Sequence, residues 1–310
     1  MSNHANISTD VLIDDLAVES GQYQYRNTIA NSYAKQTGFT LVELLVGLIL
    51  TVFISAIAIT YMVSSSQAFR VQTNDSLSHE NARYALEVLS QNVRLAGLNP
   101  QNDITQELDV VYLGTGCEAG NEGSNSGSAA GQCTVDDLSN SSDRFAVDYI
   151  ADSDIEGCNG AEITASIANQ VRVANIFWTA DLDNDGVRSL YCQTINVTTG
   201  SDEGTDARPL IDGVDAMQVQ YGVATDVNVD PNNYIERYQS FSNLGAGDNT
   251  NVKAIRIALL INSGLSGVGD TQLEDPVNRQ YQLLDASVDI NDDRVFRQVY
   301  STTIAVPNTF

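Results

Sequence analysis

The chain has 310 residues and carries 40 Asp and Glu against 15 Lys and Arg, a formal net charge of −25 at pH 7. That balance argues against sequence-independent nucleic-acid binding, which needs clustered cations. Two histidines, His4 and His79, leave too few for a His-based triad or a multi-His metal centre. A hydrophobic content of 43% excludes global disorder, and much of it lies in a single run near the N-terminus.

Residues 1–37 form a long leading segment in which Asp10, Asp14, Asp15 and Glu19 outnumber Arg26 and Lys35. Residues 39–63 follow with one charge, Glu43, no proline and one glycine, Gly47. About 20 apolar residues span a bilayer as a helix, so this run is long enough to cross and too long for a secretory h-region. A carboxylate inside such a helix costs a few kcal/mol, so Glu43 is expected to serve a partner. The helical pattern continues through residues 64–98, where Leu77, Tyr84, Ala85, Val88, Leu95 and Ala96 recur at amphipathic spacing. Gly97 and Pro100 signal the stop. A continuous helix over residues 40–96 measures about 85 Å at about 1.5 Å per residue. Half belongs in lipid or a protein core, and half lays one face on a soluble domain. His79 falls on the polar side and reads as an ordinary exposed histidine.

At the junction stands Lys35-Gln-Thr-Gly38-Phe39-Thr-Leu-Val-Glu43-Leu-Leu. This resembles the class III signal of type IV pilins and type II secretion pseudopilins. The resemblance implies cleavage by prepilin peptidase between Gly38 and Phe39, methylation of the new Phe39 amine, and a fibre-register role for Glu43. In that role Glu43 is neutralised by the N-terminal amine of a neighbouring subunit. The leader departs from the family, whose leaders are shorter and basic. Patches further on are similar to PilW-type minor pilins: residues 81–97, ending Arg94-Leu-Ala-Gly97; residues 210–222, Leu-Ile-Asp-Gly-Val-Asp-Ala-Met-Gln-Val-Gln-Tyr-Gly; residues 252–263; and residues 297–308, ending Val-Pro-Asn308. Some of these patches also overlap what is expected of the pseudopilin GspJ.

After Pro100 the pattern turns β-rich. Strands are expected at residues 108–113, 144–150, 170–179, 189–196, 216–223, 252–261, 281–288 and 298–305. A Gly/Ser/Asn-rich loop is expected between Gly114 and Cys133, and a second loop over residues 226–251. Cys117, Cys133, Cys158 and Cys192 show no C-x-x-C spacing and allow three pairings. The favoured one is Cys117–Cys133, closing the loop, with Cys158–Cys192. Asp181-Leu-Asp183-Asn-Asp185-Gly-Val187-Arg-Ser189 matches the first half of a calcium loop. Asp181, Asp183, Asp185, the Val187 carbonyl and Ser189 are the candidate Ca²⁺ ligands. The twelfth position is Cys192 rather than a bidentate Glu, so a solvated hairpin tip is the alternative.

The fold class expected is α+β: a long N-terminal helix, transmembrane then amphipathic, packed on a β-rich globular head in pilin-like fashion. The expected division is a cleaved leader at 1–38, an assembly helix at 39–63, an amphipathic helix at 64–98 and the head at 99–310. No nucleophile–base pair or phosphate loop is visible, so no enzyme is expected. The resemblance implies a PilW-like minor pilin that helps initiate type IV pilus assembly and sits at the tip. Its implied partners are other minor pilins, the major pilin, the prepilin peptidase and the inner-membrane assembly platform, with no direct nucleic-acid contact. Its implied location is single-pass in the inner membrane with the head in the periplasm, then the pilus surface. Alternatives are a GspJ-like minor pseudopilin and a calcium-dependent, adhesin-type binding module.

Overall fold

The computed structural model describes residues 38–310 apart from 101–107, 109, 115–116, 118–131, 140–141, 183–185, 198–200, 203–206, 225–233, 246–247, 263–276, 294 and 310. The chain divides into two units, Met1–Ile57 and Ala58–Phe310. One helix, α1 (Leu41–Leu95), belongs to both. Thr40 caps its start: the Glu43 N–H donates to Thr40 Oγ1 at 3.3 Å, and the Leu44 N–H donates to the Thr40 carbonyl at 3.2 Å. Thr-x-x-Glu is the capping-box spacing, which the sequence carries in plain view. No Pro or Gly breaks the helix after Gly47. It ends where Gly97 takes a positive φ of 72°, as a glycine C-terminal stop requires. The Gly97 N–H donates to the Asp148 carbonyl at 2.8 Å, and Asn308 Nδ2 donates to the carbonyls of Arg94 at 2.8 Å and Ala96 at 3.1 Å. Two helix-end carbonyls thus gain partners from the far end of the chain.

The strands are β1 (Val135–Ser139), β2 (Ser142–Ala151), β3 (Ile155–Glu156), β4 (Glu162–Ile163), β5 (Val171–Ala180), β6 (Ser189–Asn196) and β7 (Ser201–Asp202). They continue with β8 (Arg208–Asp212), β9 (Val214–Ala224), β10 (Ile235–Gln239), β11 (Val252–Ile261), β12 (Val277–Leu283), β13 (Ala286–Asp293) and β14 (Gln298–Ala305). A six-stranded sheet runs β1-β2-β5-β6-β7, with β8 also on β6. A four-stranded sheet runs β10-β9-β11-β14, and β12-β13 and β3-β4 are separate hairpins. The chain passes from one large sheet to the other at Gly213, whose φ of 83° turns β8 into β9. The N–H groups of Gly213 and Val214 both donate to the Arg188 carbonyl, at 2.9 and 3.0 Å.

The sheets also meet along β2 and β9. Ser142 Oγ accepts from the Met217 N–H at 3.0 Å, while the buried Asp143 carboxylate accepts from the Val219 N–H at 2.8 Å and Gln218 Nε2 at 3.0 Å. The second unit of α1 lays Ala82, Ala85, Leu89 and Val93 against this seam, over Phe145, Phe177, Met217 and Ile257. The outer face of the six-stranded sheet is covered too. Trp178, Tyr191 and Ile176 pack with Cys117 and Cys133. The β12–β13 hairpin sets Leu283 and Val288 on Ala216, Ala258 and Leu260 of the other sheet. Strands covered on both sides read as continuous apolar runs, which is why β5 and β11 stand out in the sequence.

Four readings of the sequence need correction. Of the expected apolar face, Ala85 and Ala96 are buried, but Leu77, Tyr84, Val88 and Leu95 are not: the buried face of α1 is Asn74, Ser78, Ala82, Ala85, Leu89 and Val93. Small side chains bring the helix axis close to the sheets, so the tertiary fit selects them over the larger apolar residues. Residues 281–288 are two strands joined by a turn at Leu284 and Asp285, with Leu284 at φ 51°. A leucine in the left-handed region gives no turn signal. Its packing beside Leu283 holds it there. The described residues of 108–113 form no strand; Tyr112 donates one backbone bond to Ala146. The second loop contains β10, paired with β9.

The cysteines pair as Cys117–Cys133 and Cys158–Cys192, with Cα separations of 5.1 and 6.1 Å. The closed spans are 16 and 34 residues. Chain entropy then predicts roughly 3 kcal/mol for the first and nearly 4 kcal/mol for the second. Replacing each pair by alanine in turn should lower the urea midpoint, with the larger fall for Cys158/Cys192. Equal, negligible falls would show that neither bridge restrains the unfolded chain.

Candidate functional site

Gly38 and Phe39 precede α1 in exposed, non-helical chain, and Phe39 is 82% exposed. The expected cleavage point therefore lies outside the helix, where a peptidase reaches backbone. Glu43 sits in the first turn of α1 and is exposed, as is every residue from Phe39 to Val63. Among the described residues, this segment buries nothing against the chain, and it is long and apolar enough to cross a membrane. Water does not tolerate so large an uninterrupted apolar surface, so lipid or other helices must cover it.

Exposed apolar residues continue along the second half of α1. Phe69, Val71, Tyr84 and Leu95 lie off the buried face, and Tyr84 is 52% exposed. These overlap the residues that the sequence pattern assigned to the core. The helix is amphipathic in two directions, towards its own head and away from it.

His79 is exposed, as its place on the polar side predicts, and it has neighbours on its own helix and on β14. Its ring meets Tyr300 edge-on at a centroid distance of 5.3 Å, and its Nε2 stands 3.7 Å from Asp75 Oδ1. Gln298 Nε2 donates to Asp75 Oδ1 at 3.0 Å, and the Tyr300 hydroxyl donates to Gln298 Oε1 at 2.5 Å. Burial, reinforced by the Asp75 charge, holds the Tyr300 phenol in its protonated form by raising its pKa. An open groove of about 600 Å³ lies here, lined by His79, Glu80, Ala82, Arg83, Leu86 and Tyr300. Nothing in the sequence pattern pointed to β14 as the partner of this helix flank, since the two lie more than 200 residues apart.

Of the residues expected around a calcium ion, Asp183 and Asp185 lie outside the described residues. The Asp181 carboxylate accepts from the Gly186 N–H at 3.2 Å, the Val187 side chain is buried, and Ser189 Oγ donates to Asp212 Oδ1 at 2.8 Å. Ser189 thus binds its β8 neighbour across the sheet. Among the described residues, no group of three or more His, Cys, Asp or Glu is placed to hold a metal ion.

Residues 177–308 match the family model described as Type IV Pilus-assembly protein W, and residues 33–59 match that of the prokaryotic N-terminal methylation motif. A type IV-like pilin from Thermus thermophilus is similar at 13% identity, over 75% of this chain and 98% of its own, with a TM-score of 0.37. No curated protein sequence matches the chain. The motif, the exposed apolar helix and the β-rich head define a type IV pilin-like protein. The matched C-terminal region points more narrowly to the PilW type of minor pilin, which residues 177–308 resemble. The prepilin motif and the apolar helix together indicate membrane anchoring.

Proposed function

We propose that this minor pilin takes part in initiating type IV pilus assembly and sits at the pilus tip. The observation that carries the reading is the wholly exposed apolar stretch of α1 following the Gly38–Phe39 junction. Prepilin peptidase cuts between Gly38 and Phe39 and the Phe39 amine is methylated. The helix is held in the inner membrane with the head in the periplasm, then leaves for a bundle of pilin helices. Glu43 sets register there against the N-terminal amine of a neighbour. Other minor pilins, the major pilin and the assembly platform are the partners, and the head reaches the cell surface. The match to the pilus-assembly family favours this reading over a secretion pseudopilin.

The test is a count of surface pili after gene deletion in a retraction-deficient background, so that assembly is separated from disassembly. A sharp loss is expected, restored by the intact gene and not by a Gly38→Val variant that stays uncleaved. Undiminished pili would reject the priming role, and a parallel secretion defect would move the protein to a type II secretion system.

A further inference from the structure

The outer strands of the head are not treated alike. β1 carries Asp136 and Asp137 and a register shift. β8 carries Arg208, Pro209 and Asp212 with a shift, and β10 carries Glu236 and Arg237 with a shift. Charges, prolines and bulges are the usual devices that stop an edge from pairing with another chain. β14, Gln-Val-Tyr-Ser-Thr-Thr-Ile-Ala, has none of them: it is uncharged, proline-free and in unbroken register with β11 over eight residues.

Its unpaired side can be assigned by alternation. The Val306 N–H donates to the Lys253 carbonyl at 2.9 Å, and in antiparallel pairing every second residue shares that inward orientation. Gln298, Tyr300, Thr302 and Ile304 therefore bond to β11. Val299, Ser301, Thr303 and Ala305 point their N–H and C=O groups away from it, and among the described residues no strand pairs with them. Beside this edge runs the groove floored by Ala82, Leu86 and Tyr300.

We infer that the β14 edge is a strand-addition site for an extended segment of a different pilus subunit, whose alternate apolar side chains seat in the groove over Leu86 and Tyr300. The inference rests on the assembly reading for the presence of that subunit. Main-chain hydrogen bonds supply the affinity, and the groove supplies the choice of side chain. A second copy of this chain is a poor occupant. Pairing β14 with itself sets two strongly acidic chains together. A neutral strand from another protein meets no such penalty.

The test places a photo-crosslinking benzoylphenylalanine at Ser301 of the full-length chain, in cells that make the whole pilus system. A control probe stands at exposed Ile167. The expected result is an adduct from Ser301, absent from Ile167, joining one extended segment of another pilin-like subunit. Thr303→Pro removes an outward N–H and keeps the main-chain ladder to β11, giving up only the Arg256–Thr303 side-chain bond, so the adduct should fall roughly tenfold, as loss of one net hydrogen bond at the edge predicts. Val299→Lys, which places a charge on the edge, should do the same if the proline variant proves unstable. No adduct, an adduct only to a second copy, or an adduct indifferent to both variants would overturn the inference. Lost pili on deletion without an adduct would sink the edge site alone, and an adduct with undiminished pili would sink the priming role alone.

Discussion

Replacing Glu43 by alanine is expected to reduce incorporation into the fibre by at least about a hundredfold while the membrane level of the protein holds, because removing one member of a buried ion pair typically costs about 3–5 kcal/mol. Anchoring itself should not suffer, since an ionised carboxylate in the lipid core costs about 2.5–3.5 kcal/mol on insertion scales and alanine removes that cost. The structure adds a complication that must be controlled. Thr40 and Glu43 have capping-box spacing, with the Glu43 N–H bonded to Thr40 Oγ1. That backbone bond survives any substitution at 43, but a variant loses the side-chain acceptor that a capping box aims at the Thr40 N–H, and so can weaken the first turn by up to about 1 kcal/mol without any loss of register. Glu43→Gln separates the two effects, because the amide keeps an acceptor for the cap and loses the charge. Measured as the ratio of fibre-associated to membrane-associated protein, Gln should behave like Ala if charge pairing sets register. Unchanged incorporation with Ala would reject the register role. Full rescue by Gln would assign Glu43 to the helix start.

Leu89→Ala is expected to destabilise the head by about 3–5 kcal/mol, the upper part of the range for a fully buried leucine. Leu89 has no exposed surface and lies where α1 crosses the seam of the two sheets. The Asp143 bonds to β9 and the packing of Phe145 on Phe177, with centroids 5.4 Å apart, hold that seam rigid. A rigid surround cannot collapse into the space that alanine leaves, so the cavity persists. Tyr84→Ala, on the same helix but half exposed, should change stability by no more than about 0.5 kcal/mol. Urea denaturation of the full chain in detergent checks both. Comparable losses at the two positions would mean that the buried face has been assigned wrongly.

That pair of residues also marks the limit of reading periodicity. Tyr84 and Leu95 repeat with Ala85 and Ala96 as a helix core should, yet the face turned to the sheets keeps the two alanines and adds Ala82, Leu89 and Val93 in place of the larger side chains. Both faces are apolar at helical spacing, and hydropathy favours the larger side chains. Which face is buried depends on how closely the axis must approach the sheet, and no local pattern contains that distance. The hairpin at Leu284 escaped for a related reason: its turn is held by contact with the sheet below, without Gly or Asn chemistry. Asn308 is a third case, because the carbonyls it caps belong to residues more than 200 positions earlier.

The sequence by itself determined the features that depend on neighbours along the chain. These are the unbroken apolar helix with one acid, the stop at Gly97, the strands Ser189–Asn196, Val252–Ile261 and Gln298–Ala305, and the N-terminal methylation motif over residues 33–59. Each follows from local propensity, hydrophobic period or a short motif, and needs no knowledge of what lies across the fold. Only the tertiary structure decided which helix face is buried, where the chain changes sheets at Gly213, and which strand is left with an open edge. Those are questions of distance between segments far apart in sequence, settled by packing and by the hydrogen bonds that remain once every strand has chosen its neighbours.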